Sequence, residues 1–176
     1  MSRTNPFKKK RRQAKRTLLV LGEGLGEKVF LDHLKALYSY DSNIDIKIIR
    51  GKGGSADRIV ADTDKIPGDY DRKVVVLDND KAEEEMKKAR QEAKKKGIEL
   101  IENTPCLEYV FLLILGKKAN GKNSTWCKSE FESNYIGEKK RDDIIECKKL
   151  FPKELLEEQR LKIPELDRLI SLMEGK

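Results

Sequence analysis

The chain has 176 residues, of which 39% are Asp, Glu, Lys or Arg, and a formal net charge of +7. That length predicts one domain, or one domain with a small appendage, and is enough to bury a core. The 38% of hydrophobic residues fall in periodic runs, which excludes wholesale disorder, and the positive balance favours a nucleic acid or another polyanion as partner.

The chain opens on a basic arm, residues 1–16. Seven of the nine residues from Lys8 to Arg16 are Lys or Arg: Lys8, Lys9, Lys10, Arg11, Arg12, Lys15 and Arg16. Such a block cannot pack and reads as a disordered, solvated tail that attracts phosphates by releasing counterions. It lacks the apolar run of a secretory signal, and no later apolar run is long enough to span a bilayer, so the expectation is a cytoplasmic protein.

Strands and helices then alternate. Thr17–Leu21 predicts a strand, and Leu25–Tyr40 a helix with Phe30, Leu34 and Leu37 on one face. Ile44–Ile49 predicts a second strand, followed by the turn Arg50-Gly-Lys-Gly-Gly54 and a helix N-capped by Ser55 that runs to about Lys65. Lys73–Leu77 predicts a third strand. The clearest helix covers Lys81–Lys96, with Ala82, Met86, Ala89 and Ala93 as its inner stripe and Gly97 as its stop. Ile98–Ile101 predicts a fourth strand. Alternation of this kind implies βαβ units and a mostly parallel sheet.

After Pro105 the character changes. Cys106–Leu115 is an apolar helix or strand carrying one acid, Glu108, and Gly116–Asn123 is a loop. From Ser129 the pattern is charged and helical, ending in an amphipathic helix marked by Ile163, Leu166, Ile170 and Met173. The expected division is therefore an arm over 1–16, an α/β domain over 17–115 and a helical C-terminal extension over 116–176. The three cysteines, Cys106, Cys127 and Cys147, match no zinc spacing and no disulfide framework, and read as reduced thiols.

The chemistry concentrates where apolar strands end in acid. Thr17-Leu-Leu-Val-Leu-Gly-Glu23 and Lys73-Val-Val-Val-Leu-Asp-Asn-Asp80 are two such runs. In open α/β sheets ligands bind beyond the carboxyl ends of the strands. Neighbouring strands would place Glu23, Asp78 and Asp80 on one rim, where carboxylates repel unless a cation lies between them. Oxygen donors in a small cluster suit Mg²⁺ or Mn²⁺. Competing readings exist for each acid. Glu23 and Glu27 suit the positive end of a helix. Asp80 could N-cap the helix from Lys81, with Glu83 closing a capping box. Glu108, in an apolar stretch, needs either a metal or a basic partner. Gly22-Glu-Gly-Leu-Gly26 is not a dinucleotide loop, because its third glycine is out of register and Glu27 would oppose a pyrophosphate. His33 reads as a structural histidine beside the core stripe. Trp126 and Tyr135 either stack on bases or pack the C-terminal helices.

In this order the residues resemble a Toprim-type domain, the metal-binding fold of topoisomerases, primases and OLD-family nucleases, and more closely the RloB-like family. The resemblance covers about residues 8–115. It rests on the basic arm Lys8–Arg16, the strand Leu18–Gly24, the loop Gly51–Ser55, Asp78-Asn-Asp80, and Asn103-Thr-Pro-Cys-Leu-Glu108. It implies a Toprim-like α/β fold with Glu23 as the catalytic glutamate, Glu27 as a second acid, and Asp78, Asp80 and Glu108 at a Mg²⁺ or Mn²⁺ site. Gly26-Glu-Lys stands where the family has Thr-Glu-Pro, and Val110 and Ile114 replace an aromatic residue and a histidine.

The function these features imply is metal-dependent cleavage of DNA or RNA, with Arg50, Lys52 and the arm on the phosphate backbone. The family suggests a host-defence or mobile-element setting. The alternative is a non-catalytic nucleic-acid-binding subunit that works with a partner protein in a larger assembly.

Overall fold

A computed structural model describes residues 15–137 and 143–176. Lys8, Lys9, Lys10, Arg11 and Arg12 lie outside the described residues. Four strands, β1 (Arg16–Gly22), β2 (Ile44–Arg50), β3 (Arg72–Asp78) and β4 (Glu99–Asn103), form one sheet in the order β2-β1-β3-β4, with every pairing parallel. Helices connect them: α1 (Leu25–Tyr38), α2 (Ala56–Asp64) and α3 (Glu83–Lys96). After β4 come α4 (Leu107–Ile114), α5 (Ser124–Phe131) with a π-helical turn over Glu132–Ile136, α6 (Ile144–Leu150), α7 (Lys153–Arg160) and α8 (Pro164–Met173). The mostly parallel α/β sheet with flanking helices and C-terminal helices agrees with the expected architecture and is consistent with a Toprim-like fold. Arg16 belongs to β1, where its N–H donates to the Asn43 carbonyl at 3.3 Å. Among the described residues no helix is long and apolar enough to cross a membrane.

Strand side chains alternate between two apolar layers, as a sheet covered on both faces requires. On one face Leu21, Val75 and Leu77 pack on Ile59 and Val60 of α2 and on Met86, Ala89 and Ala93 of α3. On the other, Leu18, Val20, Val74, Val76 and Ile101 pack on α1, α4 and the C-terminal helices. The second layer centres on four phenylalanines. Phe111 meets Phe30 edge-on at 4.8 Å between ring centres, with Phe131 at 5.0 Å and Phe151 at 4.8 Å. These rings come from α1, α4, α5 and the turn after α6, so the C-terminal helices share the core of the sheet. The cysteines are buried and free. His33 is buried too, with Nε2 2.7 Å from the Phe151 carbonyl, a structural placement.

Two helix starts differ from expectation. Ser55 occupies the N-cap of α2, but its side chain makes no capping bond; the Ala56 N–H donates to Glu85 Oε1 at 2.8 Å instead. An α3 acid thus caps α2. The third helix begins at Glu83, with Ala82 at the N-cap, so Asp80 does not cap it. Asn79–Lys81 lie outside the helix in a link with bends at Asn79 and Lys81, and Asp80 faces Lys128 of another element.

Phe151→Ala removes the ring that touches Phe30, Phe111 and Phe131. It should lower unfolding free energy by about 3–5 kcal/mol, the range for a buried Phe→Ala change, measured by urea denaturation.

Candidate metal and phosphodiester site

β1 and β3 are neighbours, so their carboxyl ends open side by side. The backbone of Glu23 is held there, its N–H donating to the Val76 carbonyl at 3.2 Å. Its side chain turns toward β3. Oε2 accepts from the Asp78 N–H at 3.4 Å, and Oε1 accepts from Lys81 Nζ at 2.7 Å. Gly51 is pressed against this rim, its N–H donating to the Gly22 carbonyl at 2.7 Å; a Cβ there would lie 2.8 Å from the Glu23 carbonyl oxygen. Only glycine permits that approach, and it brings the loop from Arg50 to Gly54 beside the acids.

Asp78 is 5% exposed. Its Oδ1 accepts the Leu107 N–H at the start of α4 at 2.9 Å, and its Oδ2 lies 3.3 Å from Lys128 Nζ. Burial pushes its carboxyl up from the ordinary 3.8 to about 7, with the charges of Glu27 and Glu108 adding to the rise and Lys128 opposing it. Asp80 is exposed and shares the same cation, with Oδ2 2.9 Å from Lys128 Nζ. Glu27 stands in the first turn of α1. Its Oε2 accepts from the Gly24 N–H at 2.8 Å, closing a capping box. Burial raises its carboxyl, that backbone bond opposes the rise, and Glu108 and Glu23 add to it.

Glu108 sits in the first turn of α4 among Leu107, Val110, Phe111 and Leu112, all buried. It lines a narrow cavity with Glu27, Phe30, Phe111, Phe131 and Phe151. Its Oε2 is buried and has no hydrogen-bond partner, and no ion pair within 4 Å involves Glu108 among the described residues. Lys128 is the lysine whose ammonium the Glu108 charge favours.

The structure thus brings Glu23 against Asp78, Asp78 and Asp80 onto one lysine, and Glu27 and Glu108 onto the flank of the same rim. It does not close them into a cage. Among the described residues no three His, Cys, Asp or Glu side chains are grouped so as to hold an ion. Lys81 and Lys128 instead pair with Glu23, Asp78 and Asp80. Lys81 follows Asp80 directly, a signal open to sequence reasoning; Lys128 lies on a helix fifty residues away in sequence and carries no such signal. Asn103 is a further site residue that sequence reasoning misses. It pairs with Asp78 in the β3–β4 ladder, is fully buried, and neither side-chain amide atom has a partner. Trp126 and Tyr135 are half-buried against the core, Trp126 beneath Lys122 and Tyr135 stacked on Phe131. Lys15, Arg16, Arg50 and Lys52 are exposed.

A carboxyl raised by the fold is one the fold prefers protonated. Its contribution to stability is full below the unfolded value near 4 and falls as pH climbs through about 7. Asp78→Asn imitates the protonated form and keeps an acceptor for Leu107. In EDTA at pH 8 it should be more stable than the parent by roughly 1–4 kcal/mol, and the gain should vanish near pH 4. Thermal melts across that pH range measure the crossover; a variant less stable at every pH would refute the crowding.

Comparison with curated proteins and with solved structures returns no match. A sequence model of RloB-like proteins matches residues 18–165, most of the chain and every strand of the sheet. The chain belongs to the RloB-like family.

Proposed function

We propose that this protein is a divalent-metal-dependent nuclease with a Toprim-related site. The observation that carries the reading is Glu108 Oε2, a buried carboxylate oxygen without a partner, beside Glu27 and Asp78. Such an atom is costly unless a cation serves it. The donor set is all oxygen, which fits Mg²⁺ or Mn²⁺. Asp78, Asp80, Glu108 and Glu23 are the residues that would hold the ion. A bound ion supplies an activated water and neutralises charge on the scissile phosphate. Glu23, at the mouth and already hydrogen-bonded to Lys81, would take or return a proton at Oε1. Glu27, fixed by the Gly24 N–H, would hold the rim's electrostatics and serve as the second acid. Arg50 and Lys52 would lie along the backbone of the nucleic acid, as would the basic arm. A cytoplasmic host-defence or mobile-element role fits this chemistry.

The rival reading, a nucleic-acid-binding subunit of an assembly without catalysis, has one observation in its favour: Glu23, Asp78 and Asp80 are each already paired with Lys81 or Lys128. Labelled DNA and RNA incubated with Mg²⁺, Mn²⁺ or EDTA separate the two. Cleavage that EDTA abolishes supports the nuclease, and retention without cleavage in any metal supports the binder.

Glu108→Gln keeps shape and removes charge. It should reduce metal-dependent cleavage by about 10²-fold or more, the scale on which removing one electrostatic stabiliser acts, while leaving the melting temperature in EDTA unchanged or raised. A large fall in melting temperature with cleavage intact would return Glu108 to a structural role.

Removal of residues 1–14, which spares β1, should weaken nucleic-acid binding and flatten its salt dependence. For each phosphate that the arm no longer neutralises, the log–log slope on duplex DNA should shrink by about 0.9, read from binding isotherms at several salt concentrations. An unchanged slope would show that the arm does not touch phosphates.

A further inference from the structure

A cavity of about 450 Å³ opens between β2 and α2, next to the acidic rim but apart from it. Its floor is apolar: Leu21 and Ile59 are buried and Ile49 and Ile66 half-buried, with Pro67 exposed at the edge. Its rim is cationic, with Arg50, Lys52, Arg58 and Lys65 around a single acid, Asp62. Asp62 is already engaged, 3.0 Å from Lys65 and 3.9 Å from Arg58. Arg50 and Lys52 have no carboxylate within 4 Å among the described residues. The size falls in the range of small-ligand sites, about 300–1,000 Å³.

The two surfaces ask for different chemistry in one ligand. The floor offers side-chain contact to something flat and uncharged. The rim offers an excess of positive charge, four cations to one acid. A nucleotide carries both, a base for the floor and a phosphate for the rim. The loop that forms the mouth is also tied to the acids: the Gly51 N–H reaches the Gly22 carbonyl at 2.7 Å, and Lys81 spans Glu23 Oε1 and the Gly54 carbonyl at 2.7 and 3.0 Å. A strand whose phosphate lies at the rim of carboxylates would have a neighbouring base at this mouth.

We infer that the β2–α2 cavity is a nucleotide subsite that takes one unpaired base, with its phosphate on Arg50, Lys52 and Arg58. The inference rests on the reading of the chain as a nuclease and narrows its substrate to nucleic acid with a single-stranded or everted nucleotide. A base held in a duplex cannot reach the floor without leaving its stack. Because the lining offers few side-chain hydrogen-bonding groups at its floor, the subsite distinguishes paired from unpaired bases more than one base from another.

Full-length protein labelled at isoleucine δ1 methyls tests this in EDTA, without any cleavage. Titration with a single-stranded trinucleotide should shift Ile49, Ile59 and Ile66 by ring current and leave the distant core residues Ile163 and Ile170 still. A mononucleotide should move the same methyls more weakly, which identifies the nucleotide itself as the ligand, and inorganic phosphate should move none of the three. The exposed-site double variant Lys52→Glu with Arg58→Glu should weaken the response about tenfold. A fully paired duplex should not reproduce the shifts. Saturation by the trinucleotide with Ile49, Ile59 and Ile66 unmoved overturns the subsite, as does an equal response to duplex. Metal-dependent cleavage with silent methyls would sink the subsite alone. Methyl shifts in a protein that cleaves nothing would sink the nuclease alone.

Discussion

A carboxylate at 5% exposure is the constraint around which the molecule is arranged. Asp78 ends β3 at a place where water cannot solvate it. Removing a charge from water is expensive, and the fold compensates from two directions. The start of α4 presents the Leu107 N–H, and α5 presents Lys128. Neither element belongs to the sheet. The acid therefore decides where the chain must go after β4: α4 has to begin against the end of β3, and α5 has to return to it. Glu27 and Glu108 then enter the same small space and raise the electrostatic cost further. A protein selected for stability alone would place apolar residues there.

The aromatic cluster behind the rim makes that cost larger. Phe30, Phe111, Phe131 and Phe151 line the cavity that Glu27 and Glu108 share, so these carboxylates face rings on one side. A low-dielectric wall strengthens every charge interaction in front of it. The same wall is the core on which the C-terminal helices dock. Site electrostatics and extension packing thus depend on the same four side chains.

Much of the sheet is legible in the sequence because its strands are short apolar runs with abrupt ends, and burial on both faces writes itself as continuous Leu, Val and Ile. The apolar runs mark β1, β2 and β3 to within a residue or so at their ends, while β4 runs two residues further than its apolar pattern, into Glu102 and Asn103. The adjacency of Glu23 and Asp78 follows from the parallel βαβ pattern. What sequence patterns do not supply is partnership across distance. Asp80 also admits a helix-cap reading, with Glu83 closing a capping box; the helix starts later, at Glu83, and Lys128 on a remote helix receives the carboxylate instead. Ser55 looks like the cap of α2 because hydroxyls usually are, yet Glu85 from the neighbouring helix takes the Ala56 N–H. Both cap motifs fail for one cause: a local motif competes with a long-range contact that only the assembled fold creates. Asn103 escapes because a strand-terminal asparagine carries no pattern; its significance lies in burial.

Lys128 belongs to α5, beyond the four-stranded unit whose charge it balances. Asp78 and this counter-charge therefore lie fifty residues apart, and a turn of π-helix joins α5 to the rest of the extension. As the polypeptide leaves the ribosome, Glu23, Asp78 and Glu108 emerge before Lys128 does. Until α5 docks, Lys81 is the cation at hand for Glu23, while Asp78 and Asp80 await Lys128. Consolidation of the strand ends is thus finished only once α5 is in place.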